Sequence, residues 1–555
     1  MNDPYRTRLT APLIILIVMF SILLFIERPG SWLFDPDEAR YAEIPQAMLL
    51  SGDFLSPKLN GSNYFEKPPL LYWLNAVSMK VLGDSPYAAR LPVRLATLGM
   101  ALLLIVSLKR KGSTSNLWAG LVFLSSLGPF ILGRINITDA LVSFGLTLAF
   151  LSMKSAVLSM EEIKPFSRPV FGMWIGAAIA VLSKGLIGLL LPALVLLGWM
   201  VFMRQGKVLF RILFSPGFIV FLMAVVPWFA LMEQAHPGYL YIFFVREHFL
   251  RYLTNEANRT GSILYYVPVF IVGLLPWTLY FLASIRCLVT FSFQKIRKFP
   301  EELFFGLWFF IIILFFSASH SKLIPYLFPA FPAAAALIGI FLSKNNGEGK
   351  FLYWTLACWL GVALLGLVIA GHSHSIEMHG LMNKLWMICF VTLVGFVIGL
   401  WRARKNSWEG PLWMVGGWGV FYGVLIFILP VLASDYSLHD MAVRSSEVKA
   451  DQIVAFKTYP HSFPLILKRS IPVVDHKDEL ASDGVLSPDF FWNQEKFWTH
   501  WRSNERMVVV LRKDSLIEFD ARSQKSYILS GNRKFVLVSN FDFKDSENNE
   551  DKPLN

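Results

Sequence analysis

The chain has 555 residues, of which 55% are hydrophobic and only 16% charged, with a mean hydropathy of +0.51. A soluble domain carries about 25% charged residues, so the excess apolar surface must face lipid, and a water-soluble protein is excluded. The formal charge of +12 is distributed over short loops between apolar runs, with no basic stripe and interleaved aromatics on a soluble segment, which argues against nucleic acid as a partner.

The first apolar run, Leu13 to Ile26, follows Arg6 and Arg8. Glu27, Arg28, Pro29 and Gly30 come next rather than a small-residue cleavage site, so the run reads as a retained first span. At roughly 20 apolar residues per crossing, the pattern predicts about 13 spans. They lie near 9–27, 80–108, 115–133, 136–153, 170–183, 185–203, 209–232, 262–285, 303–318, 323–343, 351–371, 382–401 and 412–433. Every second connection is basic: Arg6 and Arg8, Lys109 to Lys111, Lys154 to Arg168, Arg204 to Arg211, Arg286 to Lys298, Lys344 and Lys350, and Arg402 to Lys405. That side is cytoplasmic by the positive-inside rule, and an odd number of crossings puts the C-terminal residues on the opposite face.

The predicted fold class is a polytopic α-helical membrane protein with a small C-terminal soluble α/β domain. Residues 1–433 form the membrane part, with outward loops at 28–79 and 233–261. Residues 434–545 form the soluble domain, and 546–555 an acidic, disordered tail. Phe463 to Val474, Met507 to Leu511 and Phe535 to Val538 read as strands, and Asn493 to Trp501 as a helix. The three cysteines, Cys287, Cys358 and Cys389, all lie in or beside apolar segments, so the soluble part has no disulfide framework.

Charges on the outward face break the inside rule and need another reason to be there. An anionic ligand at the membrane surface is the economical one. The first loop carries Asp35, Asp37, Glu38, Glu43, Glu66 and Lys67; short turns add Arg134, Asp139, Lys184, His320 and Lys322. In Phe34 to Glu43, acids in the first turn after Pro36 signal a helix start, and helical spacing puts Asp37, Arg40 and Tyr41 on one face. The same segment also reads as a solvated amphipathic helix on the membrane surface. In Tyr64 to Trp73, paired prolines hold the chain extended beside Glu66 and Lys67; its Tyr and Trp equally suit an interfacial anchor.

Together these segments resemble the bacterial lipid-linked-sugar glycosyltransferases with the membrane-embedded C-type (GT-C) fold. They are most similar to the 4-amino-4-deoxy-L-arabinose (lipid A) transferase branch and more distantly to the protein O-mannosyltransferases. The resemblance runs in order through Asp37 to Ile44, Ser51-Gly52-Asp53, Tyr64 to Pro68, Asn136 to Asp139, Ser183-Lys184-Gly185, Arg246 to Tyr252, Gly273 to Trp277 and Ser321 to Tyr326. The ordered set is strong where each piece alone is weak. Ser319-His320-Ser321-Lys322 departs from the branch's usual Lys-Gly-Lys pattern.

The resemblance implies an inverting glycosyltransferase with an undecaprenyl-phosphate sugar donor and an acceptor on the periplasmic face of the inner membrane, 4-amino-4-deoxy-L-arabinose on lipid A phosphate being the leading expectation. Another sugar (galactosamine, mannose or a hexose) on lipid A, another surface glycan or a protein is the alternative. A transporter is more distant, because the charges sit at span ends and not at the midplane. A departing lipid phosphate needs cations, and Lys67, Lys184, Arg251 and Lys322 are the candidates. The resemblance makes Asp37 and Glu66 catalytic, with Arg40, Tyr41, Tyr64, Asp139 and Tyr326 completing the binding set. Glu66 and His248 could meet and bind a divalent metal, and His372, His374 and His379 share one short loop; a satisfied hydrogen bond and a polar loop are the plainer readings.

Overall fold

The computed structural model describes residues 4–109, 113–158, 167–206, 208–250, 261–290, 295, 297–345, 390, 393–405, 408–432, 437–476, 489–523 and 525–542. Its contacts divide the chain into two compact units. The first comprises Met1–Glu27, Leu91–Leu231 and Phe244–Ile428; the second comprises Arg28–Arg90, Met232–Phe243 and Leu429–Asn555.

Among the described residues, six helices are long and apolar enough to cross a bilayer: Pro86–Ser107, Thr138–Leu158, Pro216–Ala235, Pro300–Ala318, Ile324–Lys344 and Glu409–Phe427. A helix of this size rises about 30 Å, the thickness of the hydrocarbon core. Shorter apolar helices include Leu9–Phe25, Ser115–Ser125, Ile187–Met203 and Leu393–Ala403. The chain is thus a multi-pass membrane protein. The expected span at 351–371 and half of that at 382–401 lie outside the described residues.

Three expected spans are broken rather than continuous. The run at 262–285 divides into Tyr266–Gly273 and Thr278–Arg286, bent by 110°. Pro276 has no N–H to continue the ladder. Beside the break, Leu275 O accepts from the Leu127 amide at 3.1 Å, and the Trp277 indole anchors the bend by donating to Ser125 Oγ at 2.8 Å. The run at 115–133 breaks at Ser126, which is extended (ψ 138°) between Ser115–Ser125 and Leu127–Leu132. The run at 209–232 breaks before Pro216, between Val208–Leu213 and Pro216–Ala235.

Packing inside the first unit uses small residues. The Thr138–Leu158 and Arg168–Lys184 helices approach so closely that a Cβ on Gly176 would lie 2.5 Å from both Ala149 N and Gly145 O. The first helix, Pro4–Phe25, ends in carbonyls that its own turns cannot satisfy. Arg134 donates to the carbonyls of Leu23, Leu24 and Ile26 at 2.6, 3.0 and 2.5 Å. Arg94, fully buried, donates to Phe25 O at 3.2 Å and pairs with Glu27 at 2.7 Å. Arg134, read from the sequence as an outward charge for a ligand, is a helix cap.

The second unit contains the Asp37–Ser51 and Leu70–Leu82 helices, a small hairpin of β1 (Lys58–Leu59) and β2 (Ser62–Asn63), and a six-stranded sheet. The sheet strands are β3 (Gln452–Phe456), β4 (Val473–Val474), β5 (Phe491–Trp492), β6 (Met507–Arg512), β7 (Tyr527–Gly531) and β8 (Phe535–Ser539), in the order β5-β4-β3-β6-β8-β7. β5, β4, β3 and β6 run parallel; β8 is antiparallel to β6, and β7 to β8. Val509 and Leu511 of β6 and Val536 and Val538 of β8 face one core with Phe497, Trp498, Trp501 and Phe519. The expected helix begins at Gln494, capped by the Asn493 side chain on the Lys496 amide at 2.8 Å. Phe463 to Val474 is not one strand: Ser462–Leu467 is helical and only Val473–Val474 is extended. Pro464 cannot donate to a central ladder and fits the first turn of a helix.

Candidate active site

The expected site residues fall in both units. In the second, Asp37 and Glu38 occupy the first turn of the Asp37–Ser51 helix, where the helix dipole favours carboxylates. The helix stops at Gly52, in the left-handed region at φ 74°. Most of this helix is buried, yet the Asp37 side chain is 60% exposed. Arg40 lies one turn on, buried, with Nη1 3.7 Å from Asp37 Oδ1 and its guanidinium 5.9 Å from the Tyr41 ring. Tyr41 turns inward, 6.1 Å from Tyr72 between ring centroids.

Glu66 is buried, and Lys67 Nζ lies 3.7 Å from its Oε2 while donating to the Glu66 carbonyl at 3.1 Å. Tyr64 is buried beside them; burial and then the neighbouring Glu66 charge hold its hydroxyl well above the usual phenol range. The second loop meets the first here: Ser56 Oγ and His236 Nε2 are 2.9 Å apart, and the Phe65 ring packs against His236 and Tyr239.

In the first unit the structure brings three expected residues together. Asp139 sits in the first turn of the Thr138–Leu158 helix and Lys184 in the last turn of Arg168–Lys184, each at the helix end that suits its charge. They form a half-buried ion pair, and Lys184 Nζ lies 4.4 Å from the centre of the Tyr326 ring. Gly185, at φ 89° and ψ −141°, turns the chain immediately after the lysine. Lys322 differs from expectation: its ammonium donates to the carbonyls of Phe316, Ser317 and Ser319 at 3.4, 2.8 and 2.6 Å, capping the Pro300–Ala318 helix.

Arg251 and the His248 side chain lie outside the described residues, as do His372, His374 and His379. Among the described residues no group of three or more His, Cys, Asp or Glu is gathered to hold a metal ion.

Three further acids of the first loop, Asp35, Glu38 and Glu43, have internal partners that the sequence did not announce. Glu38, 1% exposed, receives Arg90 Nε at 2.8 Å and Nη2 at 2.6 Å, while the same guanidinium holds the carbonyls of Ser31 and Trp32 at 2.9 Å each. This bidentate pair fixes the start of the Asp37 helix. Asp35, pushed up to about 6 by desolvation, accepts from Ser462. Glu43 meets Tyr459 and His461. An acid and arginine 52 residues apart leave no local pattern; only the density of acids in residues 35–43 hinted that some are internal.

Comparison with known proteins places these features in a family. Residues 11–292 match the family model described as dolichyl-phosphate-mannose-protein mannosyltransferase, and residues 441–540 the one described as aminoarabinose transferase C-terminal domain. The undecaprenyl phosphate-alpha-4-amino-4-deoxy-L-arabinose arabinosyl transferase of Pectobacterium carotovorum subsp. carotovorum is 29% identical over 429 residues, covering 74% of each chain. Its counterpart in Aeromonas salmonicida is 30% identical over 413 residues, covering 70% of this chain and 72% of the relative. The crystal structure of ArnT from Cupriavidus metallidurans bound to undecaprenyl phosphate superposes with a TM-score of 0.84 over 96% of this chain and 98% of that one, at 24% identity. The two share a fold.

Proposed function

Because the chain belongs to the dolichyl-phosphate-mannose-protein mannosyltransferase family, and within it to the undecaprenyl phosphate-alpha-4-amino-4-deoxy-L-arabinose arabinosyl transferases, we propose that it moves 4-amino-4-deoxy-L-arabinose from undecaprenyl phosphate to a lipid A phosphate. The reaction takes place on the periplasmic face of a bacterial inner membrane. One observation carries the reading: the mannosyltransferase model and the aminoarabinose transferase C-terminal domain fall on one chain in that order. The alternation of basic loops supports the orientation, with the C-terminal domain periplasmic.

The bond from the sugar's anomeric carbon to the carrier phosphate breaks, and one to the acceptor phosphate forms. A phosphate acceptor is already anionic and needs little deprotonation. The exposed Asp37 carboxylate is therefore assigned to the donor's amino group and to the positive charge that develops at the anomeric carbon. Arg40 holds Asp37 in place. Glu66, Tyr41 and Tyr64 shape the same loop. Lys67, Lys184 and Arg251 are assigned to the departing phosphate, with Asp139 and Tyr326 orienting Lys184. Lys322 keeps the 319–323 turn in shape.

The test is mass spectrometry of lipid A from cells that lack their own transferase and express either this chain or D37N. One added aminoarabinose, absent with D37N, is expected. Unmodified lipid A with the wild-type chain rules out this product in that host.

A further inference from the structure

Three polar contacts, two of them buried, join residues 35–60 to residues 459–471 within the second unit. Asp35 accepts from the Ser462 amide at 3.1 Å and from its hydroxyl. Asn60 and Ile471 exchange a reciprocal pair: Asn60 Nδ2 donates to Ile471 O at 2.9 Å, and the Ile471 amide donates to Asn60 Oδ1 at 2.9 Å. The third contact centres on Glu43. Its Oε1 accepts from the Tyr459 hydroxyl at 2.7 Å and the Asn60 amide at 2.8 Å, and its Oε2 lies 3.4 Å from His461 Nδ1.

Glu43, Asn60, Tyr459 and His461 are all buried. A buried polar network with every member satisfied permits one geometry, since any other leaves a desolvated group without a partner. Glu43 stands on the same helix as Arg40, three residues on, and Asp37, six residues on. Fixing Glu43 therefore fixes the rotation and depth at which those two side chains emerge.

We propose that the 459–471 segment of the C-terminal domain holds the Asp37–Ser51 helix in its working orientation, with Glu43 as a positioning residue for Asp37 and Arg40. The proposal rests on the assignment of Asp37 to the reacting centre. It gives the C-terminal domain a part in the reaction without contact with substrate.

The protonation states fit this arrangement. Burial pushes the Glu43 carboxyl up to about 8 and drives His461 well below the usual imidazole range. Both groups are thereby held toward their neutral forms: a proton on Glu43 Oε2 would face His461 Nδ1, while Oε1 keeps its two donors. The other titratable or charged groups facing the pair are Asp35 and Arg40 from the loop, Tyr459 beside Glu43 and His476 beside His461. Because the carboxyl is raised, the intact network belongs to the low side of about pH 8 and loosens as Glu43 ionises above it.

The test uses the full chain in liposomes with undecaprenyl-phosphate aminoarabinose and lipid A, combined with hydrogen exchange of the amides of residues 37–42. E43A is expected to lower kcat by about 10²-fold, the usual result of a small misplacement at the chemistry, with KM changed less than about twofold and faster exchange at 37–42. E43Q keeps the hydrogen bonds of the neutral acid and stays within about twofold of wild type at pH 7. Wild-type kcat falls above pH 8, and E43Q loses that fall. Y459F, which removes one donor and leaves the carboxyl, shows the same split with about a tenfold loss. Wild-type kcat in E43A or Y459F, an E43Q as impaired as E43A, or an alkaline fall retained in E43Q overturns the proposal. A wild-type chain that transfers nothing removes the functional assignment alone; the exchange rates then decide the clasp, unchanged rates in E43A overturning it and faster ones supporting it.

Discussion

Asp139 and Lys184 meet from opposite helix ends, with each side chain only 12% exposed. Removing one member of such a pair leaves a desolvated charge, which costs more than removing both. D139A is expected to destabilise the detergent-purified protein by about 3 kcal/mol. The D139A/K184A double variant should recover about 1–3 kcal/mol relative to the sum of the single changes. Denaturation of the three variants checks this; additive losses would mean that the pair is not coupled. Both residues were legible as chemistry-bearing in the sequence, because charges at the ends of outward spans stand out against an apolar background. Their pairing was not, since 45 residues separate them. Lys322 shows the converse. It looked like a phosphate ligand because it is a lysine in an expected outward turn, yet its ammonium donates to carbonyls at the end of the preceding Pro300–Ala318 helix.

At the scale of elements, the long apolar runs are legible because lipid demands about 20 such residues in a helix. The breaks inside them are less so. Pro276 lies in an unbroken apolar stretch, and hydropathy does not register a missing N–H. Phe463 to Val474 misled for a related reason: short apolar runs serve helices and strands equally, and Pro464 decides between them. The Lys184 turn depends on a backbone feature of this kind. Gly185 adopts φ 89° and ψ −141°, a region essentially closed to residues with a Cβ. G185A is expected to cost about 1–3 kcal/mol of stability and to lower transfer by shifting Lys184 away from Asp139 and Tyr326. A melting curve and a lipid A assay on the same preparation check both parts.

For the whole molecule, composition settles the class, and the alternation of basic loops supports the proposed orientation. The expected periplasmic C-terminus has a direct check. Alkaline phosphatase fused after Asn555 should be active, and the same reporter fused after Lys405 inactive; the reverse pattern would invert the proposed topology. The assembly of the second unit from three stretches of chain was not legible. Glu43 and Tyr459 are 416 residues apart, and no local pattern announces a contact at that range.

The capping of the first helix bears on how the chain is made. Its last carbonyls are satisfied by Arg94 and Arg134, which follow Phe25 and Ile26 by 69 and 108 residues. Synthesis runs from the N-terminus, so a ribosome must add all of those residues before the first crossing acquires its cap. A nascent chain stalled short of Arg134 lacks the guanidinium that donates to the carbonyls of Leu23, Leu24 and Ile26. The cap of this helix is complete only after the Pro86–Ser107 and Ser115–Ser125 helices have been made.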